Sequence, residues 1–135
     1  MSIGIGGDAR LVLQDEEMLI FEYCPYNLND KRYRNEDRVY DGVITICKDA
    51  LLEPEIREKL KRMSSGRKRM ITKRIVRPVD YEALLASGKI EVENSRFCYK
   101  ILTCGIGCIA MRLIEHLFDT YQRDGIVKEA ISFYY

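Results

Sequence analysis

The segment IGCIAMRLIEHLFDTYQ, residues 106–122, decides the fold reading. Ile106, Ile109, Ala110, Leu113, Ile114, Leu117, Phe118 and Tyr121 recur at helical spacing and form a wide apolar stripe. Arg112, Glu115, Asp119 and Gln122 stand opposite, and Gly125 is a fitting stop. One long amphipathic helix is therefore expected, and its stripe needs an apolar surface to lie on.

That surface is supplied by β-type runs. Ala9–Gln14 and Met18–Tyr23 flank Asp15-Glu16-Glu17 and read as a hairpin, with Leu11 and Leu13 on one face of the first strand. Leu19, Phe21 and Tyr23 share one face of the second. Cys24–Arg38 is polar and reads as a long loop. Val39–Cys47 reads as a central strand, with Gly42 a bulge or a point of close approach. Lys89–Glu93 and Phe97–Leu102 pair about Asn94-Ser95, and Ala130–Tyr135 reads as a final strand.

Two short helices are expected as well. Pro54 suits a first helical position, and Ile56, Leu60 and Met63 follow at i, i+4 and i+7, giving a helix over Pro54–Met63. Asp80 is a good N-cap and Gly88 a good stop for a helix over Tyr81–Ser87. Met70–Val76 suits either periodicity; its β-branched residues and the extended Arg77-Pro78 favour a strand. The expected class is α+β over a single domain, 1–135. It has a mainly antiparallel or mixed sheet packed on one long C-terminal helix, about 106–122, and two short helices.

Charge carries the functional signal. The chain has 22 Lys+Arg against 21 Asp+Glu, a net charge of +1 that would argue against an anionic partner. From Arg57 to Arg77, however, ten basic residues face one acid, Glu58, so this segment is +9. The remainder, 12 basic against 20 acidic, is −8. Clustered Arg and Lys repel one another and are more easily tolerated beside an anion, where Arg gives bidentate contacts and Lys a mobile charge. Intramolecular pairing, a solvated face or an oligomer contact are the competing readings.

Other motifs point to little chemistry. Cys104-Gly-Ile-Gly-Cys108 lacks paired Cys-x-x-Cys units, and on a helix His116 would stand about 12 Å from Cys108, too far to share a metal. A structural cysteine pair and a glycine-lubricated entry to the helix are the expected roles, with anion binding by the Gly105–Gly107 amides the alternative. Gly4-Ile-Gly-Gly7 reads as a loose terminus. The single histidine, His116, has no recognisable nucleophile and acid to work with. Five cysteines, an odd number, read as reduced and mostly buried residues. With no apolar run near 18 residues and no signal-peptide pattern, a cytoplasmic protein is expected.

These readings converge on a small non-enzymatic binding protein without cofactor or metal. Its expected ligand is rich in phosphate, either nucleic acid or a nucleotide or cyclic nucleotide. The expected contacts are Arg62, Arg67, Lys68, Arg69, Lys73, Arg74 and Arg77, with Ser64, Ser65 and Gly66 shaping the loop between them. Tyr33 and Tyr40, beside Arg32, Arg34 and Arg38, could add stacking if their loop reached the same face. The alternative is a protein–protein module that docks on an acidic partner or on a second copy, with Phe133-Tyr-Tyr135 joining the contact.

Overall fold

A computed structural model describes residues 4–97 and 105–134. Among the described residues, seven strands and two α-helices follow in the order β1 (Ile5–Gln14), β2 (Met18–Asn27), β3 (Gly42–Cys47), β4 (Glu55–Arg62), β5 (Lys68–Ile75), α1 (Tyr81–Ala86), β6 (Ile90–Glu93), α2 (Cys108–Asp124) and β7 (Ala130–Tyr134). Five strands form one sheet in the order β6-β3-β2-β1-β7, and every pairing in it is antiparallel. The fold is α+β.

The sheet buries one face under α2. Leu19, Phe21 and Tyr23 of β2 align with Ile44 and Ile46 of β3 and with Ile90 of β6, and all are nearly inaccessible. Ile109, Ala110, Leu113, Ile114, Leu117 and Phe118 of α2 close the same core, as their spacing requires. Gly125, at φ 72°, ends the helix in the left-handed conformation, its N–H bonded to the Tyr121 carbonyl. Asp80 caps α1 through the Ala83 N–H, and the edge of Tyr81 meets the Phe118 ring at 5.5 Å.

Several expectations change. The loose N-terminus is instead the start of β1, because Gly7 lets α2 settle on the sheet: a Cβ there would lie 2.5 Å from Ile109 Cγ2. Gly42 is a point of close approach and not a bulge, since a Cβ would lie 2.2 Å from the Tyr23 ring. The polar loop begins later than its composition implies, because Cys24–Asn27 continues β2. The largest change concerns Pro54–Met63. No helix forms there: Glu55–Arg62 is strand β4, and the expected second short helix is absent. Of the proposed Phe97–Leu102 strand, Phe97 lies in a turn and 98–102 fall outside the described residues; Cys104 and Tyr135 fall outside them too.

Candidate functional site

The basic segment is a β-ribbon, not a helix–loop–strand. β4 and β5 pair only with each other, from Glu55↔Ile75 to Arg62↔Lys68. The turn explains why. Met63 N–H donates to the Arg67 carbonyl at 2.7 Å and Gly66 N–H to the Met63 carbonyl at 2.9 Å, leaving Ser64, Ser65 and Gly66 as a three-residue loop. Such a loop needs a left-handed residue at its end, and Gly66 supplies it at φ 87°. Helix spacing in Ile56 and Leu60 is also compatible with a strand, since both have the same parity; pairing with the β-branched β5 decides the outcome.

Every residue from Ile56 to Arg74 is exposed, so the ribbon stands clear of the core on both faces. One face carries Arg57, Lys59, Lys61, Arg69 and Lys73 beside Glu55, Ile71 and Ile75. Arg57, Lys59, Lys61, Ile71, Lys73 and Ile75 of this face, with Glu58, line a concavity of about 630 Å³. The other carries Ile56, Glu58, Leu60, Arg62, Lys68, Met70, Thr72 and Arg74. Like charges sit directly opposite one another at Arg57↔Lys73, Lys61↔Arg69 and Arg62↔Lys68. Such pairs destabilise an antiparallel ladder by up to about 1 kcal/mol each before screening. Only Arg57 among these cations has an ion pair, with Glu55 at 2.9 Å. Among the described residues, none of Lys59, Lys61, Arg62, Arg67, Lys68, Arg69, Lys73 and Arg77 enters one.

The ribbon is held at its base by a residue the sequence placed on the polar side of the helix. Gln122 is 1% exposed. Its Oε1 accepts from the Arg77 N–H at 2.6 Å, and its Nε2 donates to the Arg77 carbonyl at 2.9 Å. Arg74 Nε donates to the Gln122 carbonyl at 2.9 Å, placing a cation at the negative end of α2. Arg74 is thus an anchor, while Arg77 is anchored by its backbone and keeps an exposed side chain. The Gln122 role was legible in one respect: Ile114, Phe118 and Gln122 stand four residues apart and share a helix face.

The ribbon and the aromatic loop are not brought together. Residues 28–41 enter β3 at Gly42, whereas the ribbon follows Cys47 at the other end of that strand. α2, about 25 Å long, separates its own Gly7 contact near the N-terminus from the ribbon base at Gln122. Buried Asn35 organises the loop, accepting from the Val39 N–H at 2.8 Å and donating to the carbonyls of Pro25 and Val39. Its arginines are engaged locally: Arg32 with Asp30, Arg34 with Glu36, and Arg38 over the Tyr26 ring at 3.8 Å. Tyr40 is covered by Arg10 at 3.9 Å, and partial burial raises the hydroxyl pKa of Tyr26 and Tyr40.

The glycine turn before α2 is bonded to Asn94. Asn94 Oδ1 accepts from the Gly107 N–H at 2.9 Å, and Asn94 Nδ2 donates to the Gly105 carbonyl at 2.6 Å. The amide that an anion would need at Gly107 is therefore occupied. His116 is exposed, and among the described residues no cluster of His, Cys, Asp and Glu could hold a metal ion. Cys24 is buried, which pushes its thiol up to about 11, while Cys47 and Cys108 are half-buried and free. Among the described residues, no helix is long and apolar enough to cross a membrane. No family model, curated protein or solved structure matches the chain.

Proposed function

We propose that the β4–β5 ribbon is an arm with which a non-enzymatic protein binds nucleic acid through phosphate contacts. The carrying observation is the set of like-charge pairs facing one another on an exposed ribbon, of which only Arg57 meets an acid, Glu55, among the described residues. An isolated two-stranded ribbon is marginal in water, and these pairs weaken it further. A polyanion laid along the face offsets that repulsion. Lys59, Lys61, Arg69 and Lys73 form the centre of the contact; Arg62 and Lys68 stand on the reverse face and Arg77 beyond the base; Arg67, Ser64, Ser65 and Gly66 shape the tip. Arg74 supports the arm from α2. Eight residues per strand give a row about 24 Å long, which suits a polymer better than one nucleotide or cyclic nucleotide. The proposed setting is the cytoplasm, in keeping with the free Cys24, Cys47 and Cys108.

Titration of the full chain with DNA, RNA and mononucleotides at two salt concentrations tests this reading. Salt-sensitive binding of a nucleic acid is expected; no binding to any of them at low salt overturns it.

One observation favours a second reading. Ile56, Leu60 and Met70 are each more than half exposed on the opposite face, with Leu60 directly across from Met70. Such a row suits contact with an acidic protein or a second copy. A salt-sensitive oligomer without nucleic-acid affinity, seen by light scattering, would favour it.

A further inference from the structure

We infer that the ligand of the ribbon is duplex DNA in B form, entered through the major groove by the face bearing Arg57, Lys59, Lys61, Arg69 and Lys73. The inference rests on the nucleic-acid reading above and narrows it. Three observations lead there.

The first is chemical. A single strand is gripped by aromatic side chains on which its bases stack. Residues 55–80 contain no Phe, Tyr or Trp. The aromatics of the 28–41 loop belong to the other end of β3, and Tyr40 already carries the Arg10 guanidinium on its ring. The ribbon offers charge without a stacking platform, and that suits a paired helix.

The second is dimensional. The major groove of B-form DNA is about 12 Å wide and admits a two-stranded β-ribbon. The deep, narrow major groove of A-form RNA does not admit side chains in this way. Both ribbon faces are exposed from Ile56 to Arg74, so the arm can enter a groove along its whole length.

The third is directional. Arg74 lies on the opposite face and binds the Gln122 carbonyl, so at the base that face turns toward α2. Side chains alternate along a strand, so the five cations point away from the Arg74 contact, although Glu55 and Ile75 at the foot of their face are half-buried. Its cations come from both strands, three from β4 and two from β5, placing charge toward both walls of a groove. Arg69, which enters no ion pair among the described residues, also has the fork geometry that pairs with guanine O6 and N7.

The test compares one sequence as duplex DNA, duplex RNA and single-stranded DNA, titrated with the full chain by fluorescence anisotropy over a salt series. Duplex DNA is expected to bind at least about tenfold more tightly than the other two, with a log–log salt slope between about −2.7 and −3.6, for phosphate contacts by Lys59, Lys61 and Lys73 without or with Arg69. Guanine N7 atoms, which face the major groove, should be protected from dimethyl sulfate. A Lys59→Gln, Lys61→Gln, Lys73→Gln variant should flatten the slope by about 2.7, and a melting temperature at or above the native one, as expected on removing two like-charge pairs, shows that it still folds. Equal affinity for all three nucleic acids, or exposed N7 atoms, overturns the groove inference and leaves the nucleic-acid reading standing. Binding to none of the three removes both.

Discussion

Replacing Gln122 tests the ribbon anchor. Its amide makes two hydrogen bonds, at 2.6 and 2.9 Å, to the backbone N–H and carbonyl of Arg77, in a partly buried setting. In Gln122→Leu the side-chain volume is kept while both Arg77 groups lose their partner. Leaving a buried polar group unsatisfied costs about 1–3 kcal/mol. Both groups are only partly buried and water can reach them in part, so a total of about 2–4 kcal/mol is expected. For a chain of this size that lowers Tm by roughly 8–15 °C and moves the urea midpoint without changing the slope m. Gln122→Glu sharpens the test. The carboxylate still accepts from the Arg77 N–H but faces the Arg77 carbonyl, so its folded-state pKa rises above the unfolded one; Arg74, bonded to the Gln122 carbonyl, tempers that rise. Only the protonated acid restores the donor. Its deficit relative to the native protein is therefore small below the unfolded pKa and grows as pH rises through the folded one. A Gln122→Leu midpoint equal to that of the native protein, or a Gln122→Glu deficit independent of pH, would refute the clamp.

Three further outcomes are expected. Gly42→Ala should cost about 1–3 kcal/mol or more in urea unfolding, because its methyl would meet the Tyr23 ring while the Tyr23 hydroxyl accepts from the Ser95 N–H at 3.1 Å; a native midpoint would show that the ring yields freely. Iodoacetamide at pH 8 should modify Cys47 and Cys108 well before Cys24, whose buried thiol is pushed up to about 11, as peptide mass mapping would report; equal labelling rates would contradict that burial. Burial, aided by Glu115 and Asp119, pushes Tyr81 up to about 12. Its contribution to stability is therefore intact below the unfolded value of about 10 and lost as pH rises through the folded one. Tyr81→Phe should lose less stability than the native protein across that window, and parallel curves would deny the shift.

The fold was legible where burial enforces a period. The α2 stripe and the alternation of Leu19, Phe21 and Tyr23 exist because those side chains must reach one core, so their spacing reports the structure. The ribbon has no core to report. Glu55–Arg62 is rich in good helix formers, and Ile56 and Leu60 fit helix and strand equally, so local preference pointed away from the observed pairing. What selects the strand is non-local: the partner β5 and the left-handed Gly66. Gly7 and Gly42 were hidden for a related reason, because a missing side chain reveals nothing about the residue that fills its space. Polarity misplaced Gln122, although its spacing from Ile114 and Phe118 puts it against the core.

Arg57–Arg77 stood out as the candidate site by charge alone, yet charge alone could not rank its members. The fold does so by giving them different work. Of the ten cations, Arg74 is tied to the end of α2 and Arg57 shares its charge with Glu55, which leaves eight without such engagement. Those eight lie on two faces and a tip, so a rigid ligand on one face cannot meet all of them. If every one met a phosphate, the salt slope would reach about −7; docking by Lys59, Lys61, Arg69 and Lys73, the four that share one face, holds it near −4. A measured slope near −7 would mean a flexible ligand wrapping the arm, whereas one near −4 means a rigid ligand touching a single face. The number of ions released therefore reports how the arm is used, because among the described residues those eight cations enter no ion pair.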